Sequence, residues 1–193
     1  MKIVKGNLID CGRDNSLRIR KSGCILTREG KIEKVYDGPE NIPDSLKNIE
    51  IEDYKDALII PGLTDLHLHA PQFAFRGLGM DMELLDWLNT YTFPEEAKYN
   101  DIDYAKRAYK KFVENLKKSF TTRAVIFATL HKEATILLMD MLEESGLKCF
   151  VGKVNMDRNS PDNLIETTEK SAKNTEEWLK SCKNRYKKIK PII

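Results

Sequence analysis

Residues 61–69 read Pro61-Gly62-Leu63-Thr64-Asp65-Leu66-His67-Leu68-His69, and this stretch holds two of the three histidines in a chain of 193 residues. The segment has the character of a strand, in which successive side chains point to opposite faces. Leu63, Asp65, His67 and His69 are then expected on one face, with Thr64, Leu66 and Leu68 on the other, so both imidazoles point the same way. Residues two apart on one strand face lie ~6–7 Å apart, close enough for both rings to meet one zinc ion at ~2.0–2.1 Å. Taken alone, His67-Leu68-His69 is short and common and describes two ordinary strand residues, one of them hydrogen-bonded to Asp65, better than a metal pair. The preceding PGLTD, following a sheet-like region, favours the metal reading, with Asp65 supporting or packing against the pair rather than binding the ion.

Working outward from this strand, the two sides of the chain differ. Residues 1–60 hold apolar and β-branched segments (KIVKGNLI, SLRIR, GCILTREGKIEKVYDG, IEIEDYKDALII) broken by Gly, Asn, Asp and Pro, the pattern of several short strands in a small sheet. Beyond residue 60, strand-like and helix-like segments alternate, as in a parallel α/β fold. A loop, APQFAFRGLGMD, leads to a helix around Met82–Tyr91. Ile102, Ala105, Tyr109, Phe112, Val113, Leu116 and Phe120 recur at the spacing of an amphipathic helix. RAVIFATL is a second strand, Ala134–Glu144 a further helix with Gly146 at its C-cap, and KCFVGKV a third strand. Ser160 and Pro161 supply a cap residue and first-turn proline for a long polar helix over Asp162–Cys182. KIKPII is a fourth strand. Four strands with three intervening helices make about half of a (β/α)8 barrel. The 133 residues after residue 60 fall short of the ~250 that such a barrel usually takes, so an open parallel sheet is the competing architecture.

Composition sets limits on partners. Apolar residues make up 41% of the chain, enough for a sizeable core, and charged residues 32% with a net charge of +2, so no strong field for nucleic acid exists. The basic run Lys180–Lys190 reads as the solvated end of a helix, and no nucleic-acid partner is expected. The longest apolar runs fall far short of the ~20 residues of a membrane span. No membrane association is expected. The N-terminus turns polar too early for a secretory signal, and the four cysteines form no CxxC pair, which together suggest a cytoplasmic address with reduced, mostly buried thiols.

The segment PGLTDLHLHAPQ resembles the PGxxDxHxH signature of the amidohydrolase superfamily. HAPQFAFRGLGMDMELLDWLNTYTFPEEAKY resembles guanine deaminases more narrowly, with a Gln-containing loop, an LLDWL helix and a YTFP turn. TTRAVIFATLH and FVGKVNMDRNSP, with the later ETTEKS, resemble the second and third strands of the same enzymes, so the likeness runs over nearly all of residues 58–190. It implies a metal-dependent hydrolase fold: the first four or so β/α units of a TIM barrel at 61–193, preceded by a small β-sandwich segment at 1–60. It also implies zinc held by His67 and His69, and guanine contacted by His69, Ala70, Pro71 and Gln72, with hydrolysis to xanthine and ammonia. Gln72 without the resemblance is a polar loop residue. His131 is expected to support the structure rather than bind metal, and Trp87 and Phe93 to pack a helix. Phe120 stands where the family usually has Gly.

The family's Arg-Phe pair, its further ligands and its proton-shuttling carboxylates have no counterpart here. No catalytic residue beyond the metal ligands is therefore expected, and the chain is read as an N-terminal portion, inactive alone, that needs the C-terminal half of the barrel from the same or a separate chain. A homodimer is expected once the barrel is complete. The rival readings are an amidohydrolase acting on another aminated or chlorinated heterocycle, and a non-catalytic half-barrel assembly module.

Overall fold

The computed structural model describes residues 1–193, which form two compact units, Met1–Pro61 and Gly62–Ile193. The first is a single mixed sheet of β1 (Lys2–Cys11), β2 (Leu17–Arg28), β3 (Lys31–Tyr36) and β4 (Ile51–Ile59), in the order β3-β2-β1-β4. β2 runs antiparallel to β1 and β3, while β4 runs parallel to β1. The strands are longer than the broken sequence pattern suggests, because bulges carry them past the interruptions. At one of these the register slips between Gly6 and Leu8, where β2 carries one residue more than β1 between Gly23 and Arg20. Ile3, Cys24, Leu26, Tyr36 and Ile42 form the core of this unit.

The second unit is built on a parallel sheet of β5 (Leu63–His69), β6 (Thr121–Phe127), β7 (Lys148–Gly152) and β8 (Lys190–Pro191), in that order. Between β5 and β6 lie α1 (Leu84–Trp87), a π-helical turn (Leu88–Thr92), α2 (Phe93–Ala97) and α3 (Ile102–Lys118); α4 (Lys132–Ser145) and α5 (Thr168–Cys182) make the next two connections. Gly62 marks the entry to β5, where an added Cβ would stand 2.3 Å from the Thr122 side chain. Only glycine lets the two chains approach so closely.

α3 begins where the Asp101 carboxylate accepts the backbone N–H groups of Asp103 and Tyr104. Its stripe of Ala105, Tyr109, Phe112, Val113 and Leu116 is buried. Phe120, the last residue of that periodic series, lies beyond the helix end. Its side chain is 73% exposed, and its carbonyl accepts the Leu63 N–H at 2.8 Å. α4 ends on Gly146 in the left-handed conformation, φ +85°.

Two helix boundaries differ from the sequence reading. The helix around Met82–Tyr91 runs on to Ala97, so Tyr91-Thr92-Phe93-Pro94 is helical rather than a turn; Pro94 sits in the first turn of α2, where a missing N–H costs little. α5 starts at Thr168, six residues after Asp162. The Thr167 hydroxyl accepts the Lys170 N–H as its cap, whereas Pro161 heads a turn in which its carbonyl accepts the Leu164 N–H. Ser-Pro introduces a turn as readily as a helix, and a better-placed cap follows it.

One face of the parallel sheet is covered. Ala124 and Ile126 of β6 and Cys149 and Val151 of β7 join side chains of α3, α4 and α5, Trp178 among them, in one apolar core. The alternating residues of the same strands face the other way. Phe127 and Phe150 remain 37% and 45% exposed there, and this open face carries the two histidines.

Candidate metal and ligand site

The histidine pair owes its placement to an irregularity in β5. Asp65 pairs with Ala124 and Leu68 with Ile126, so across this span β5 contains one residue more than β6. Ala124 and Ile126 point at the helices, and Asp65 and Leu68 are in register with them. Asp65 therefore does not share a face with His67 and His69, as strict alternation requires. Its Oδ1 instead accepts the backbone N–H of His67 at 3.0 Å, holding the bulge. After the bulge, His69 pairs with Phe127 of the open face.

On that face the Nε2 atoms of His67 and His69 approach to 3.3 Å. Two nitrogens bound to one tetrahedral zinc at ~2.0–2.1 Å are ~3.3–3.4 Å apart, so the pair fits two corners of such a site. Neither ring makes another hydrogen bond. The Phe127 ring stacks on His69, centroids 4.6 Å apart and planes 11° from parallel, and meets His67 at 4.9 Å. Burial first, and then the neighbouring His67, hold the His69 imidazole below its usual range, favouring the neutral form that binds metals. No third His, Cys, Asp or Glu joins the pair in an arrangement that would hold an ion, so this chain offers two donors and no closed cage.

Gln72 is half-buried in the 3-10 turn Pro71–Phe75. It lines a cavity of about 400 Å3 between β5 and α3, whose wall includes Asp65, Leu68, His69, Phe112 and Leu116. Arg76 donates to Asn115 Oδ1 at 3.1 Å and lies over the Phe73 ring. Ala70 is buried in the apolar core, and its N–H donates to the Phe127 carbonyl at 3.0 Å; Pro71 is buried beside it. Trp87 packs on Phe75, and its indole N–H donates to the Leu78 carbonyl at 3.0 Å. Phe93 is half-buried at the start of α2.

His131 stands apart from the pair. It occupies the N-cap position of α4, its carbonyl accepting both the N–H and the hydroxyl of Thr135, and its buried Nε2 has no partner. Burial lowers its basicity, against the pull of Glu166 and Glu133. His131 shares a second cavity, of about 420 Å3, with Glu166, Lys170 and Asn174.

Three features escaped the sequence reading. Phe127 lies in RAVIFATL, where the alternation around Ala124 and Ile126 is the signal that places it on the other face. Lys153, directly after β7, is a buried charge and needs a partner. That partner is Glu166 at 3.5 Å, and the Lys153 ammonium also donates to Val154 O and Asn155 Oδ1, both at 2.9 Å. Glu96 is buried with an unpartnered Oε2, and burial, with the Glu95 charge adding, pushes its carboxyl up to about 8.

Comparison with known proteins adds a family pattern and close structural relatives. The pattern of the amidohydrolase family matches residues 58–191. Guanine deaminase of Escherichia coli K12 is 35% identical over 190 residues, covering 93% of this chain and 42% of that protein. Human guanine deaminase is 42% identical over 189 residues, covering 94% and 40%. Among solved structures, guanine deaminase from C. acetobutylicum with guanine bound in its active site superposes with a TM-score of 0.91 at 48% identity, covering the whole of this chain and 45% of that one. The chain thus spans about two-fifths of the length of the relatives it matches.

Proposed function

We propose, from the premise that this chain belongs to the amidohydrolase family, that it contributes the first strands of a guanine deaminase, which hydrolyses guanine to xanthine and ammonia. The observation that carries the reading is the 3.3 Å approach of His67 and His69 Nε2 on the open sheet face, in a chain that resembles enzymes of this activity from end to end. His67 and His69 would hold zinc. When bound, zinc acts as a Lewis acid toward water and substrate. Gln72, beside His69, offers an amide donor and acceptor to the edge of the purine, with the turn at Ala70 and Pro71 fixing its distance from the pair.

The finer architecture belongs to the same proposal. The parallel sheet is the beginning of a TIM barrel and the N-terminal sheet a part of a β-sandwich. Further strands, from the same or a separate polypeptide, cover Phe127 and Phe150 and supply the remaining ligands and the carboxylates that move protons. A homodimer of the completed barrel and a cytoplasmic address follow from this reading. No helix is long and apolar enough to cross a membrane, and all four cysteines are free.

Equilibrium dialysis against zinc tests the site itself. The chain binds one ion with the low affinity that two imidazole donors alone provide, and His67→Ala and His69→Ala each abolish that binding. Full zinc occupancy in both variants overturns the assignment.

A further inference from the structure

We propose that Phe127 is the positioning residue of the histidine pair, its ring setting the orientation in which both Nε2 atoms converge. This inference rests on the metal reading of His67 and His69. A metal-binding histidine ordinarily donates its second ring N–H to a carboxylate, a carbonyl or water, and this contact fixes the plane of the ring. In this chain no side chain or carbonyl does so: the sole hydrogen-bond contact of either ring is the one between them. What both rings touch in common is Phe127. It lies flat against His69 and tilted, by 52°, against His67, while the two imidazoles themselves stand at 59°.

The ring can act as a fixed wall because its backbone is fixed. Phe127 pairs with His69 in β5 and with Gly152 in β7. Its carbonyl accepts the Ala70 N–H, the residue after His69, at 3.0 Å, and the next N–H, that of Ala128, donates to Gly152 at 2.9 Å. The wall and the ligand strand are thus joined at the level where the pair stands. A flat aromatic face restricts the His69 side chain to ring planes parallel with it, and the tilted contact holds His67 toward the same point. An aliphatic side chain of similar size would fill the space without selecting a plane.

Three variants of the chain separate this role from mere packing: Phe127→Leu, which removes the ring; Phe127→Tyr, which keeps it; and His67→Ala. Imidazole NMR reports the geometry without metal. The His69 ring protons are shifted upfield by the Phe127 ring current, and the shift disappears in Phe127→Leu and persists in Phe127→Tyr. Zinc titration by calorimetry then reads the consequence. Affinity falls about three- to tenfold in Phe127→Leu, is kept in Phe127→Tyr, and is lost in His67→Ala, with thermal midpoints of the two Phe127 variants alike. Wild-type zinc affinity in Phe127→Leu, with loss in His67→Ala, overturns the role of Phe127 and leaves the metal site standing. An equal loss in the Leu and Tyr variants also overturns it, since the ring would not be what matters. Undiminished zinc binding in His67→Ala overturns the metal reading and this inference together.

Discussion

Lys153 Nζ and Glu166 Oε2 stand 3.5 Å apart with 0% and 3% of their side chains exposed, joining the end of β7 to the segment that precedes α5. Asn174 donates to the other Glu166 oxygen at 2.7 Å, and Asn155 Oδ1 accepts from Lys153, Ser171 and Thr175. Removing one member of such a pair leaves a buried charge uncompensated, at ~3–5 kcal/mol, whereas replacing both by apolar residues is often near neutral. Lys153→Met should therefore lose about that much stability in urea denaturation, and the double variant Lys153→Met/Glu166→Leu should recover most of it. Equal losses in the single and double variants would show that the two charges do not act as a pair.

Glu96 gives the fold a pH dependence of defined sign. Its folded carboxyl keeps a proton up to about pH 8, against 4.5 for the group in free solution. The folded state then binds more protons than the unfolded one between those values. Its contribution is complete below pH 4.5 and is lost as pH rises toward 8, with a slope of ~1.4 kcal/mol per pH unit at its steepest. Glu96→Gln, which cannot ionise, should flatten the profile and raise the denaturation midpoint relative to wild type above pH 7. Parallel profiles for the two proteins from pH 5 to 8 would place the Glu96 titration elsewhere.

The uncovered sheet face should make the chain associate. Phe127 and Phe150 are 37% and 45% exposed on it, and burying a large apolar side chain contributes ~1.5–3 kcal/mol. β8, paired on one side with β7, also ends the sheet with free backbone groups. Sedimentation velocity should show mass rising with concentration, and Phe150→Lys should shift the boundary toward 22.3 kDa, the mass of one chain. A monomer across the whole range would contradict this.

On the proposed reading, Gln72 acts on substrate rather than on metal. A purine edge left unpaired at that amide costs ~1–3 kcal/mol. In a chimera that joins this chain to the remainder of the C. acetobutylicum guanine deaminase, Gln72→Ala should lower kcat/KM for guanine by roughly ten- to hundredfold with zinc content unchanged. Unaltered kinetics would make Gln72 an ordinary loop residue.

What the sequence made legible was periodic. α3 follows from apolar spacing and the end of α4 from Gly146, and β5, β6 and β7 from short apolar runs. The start of α5 was misplaced because Ser160-Pro161 and Thr167 compete as caps and only the surrounding chain decides between them. The bulge between Asp65 and Leu68 was not legible at all: it depends on the register with β6, which no local pattern in β5 encodes. For the same reason the pair His67 and His69 was found by its spacing, while Phe127, brought beside it only by strand pairing, was not.

Whether this chain brings the zinc-facing histidines of a guanine deaminase is decided by xanthine formation in the chimera. Zinc-dependent conversion of guanine to xanthine and ammonia is expected, with conversion abolished by a chelator and by His69→Ala. Guanine left intact while another aminated heterocycle is deaminated, or full turnover in His69→Ala, would contradict it.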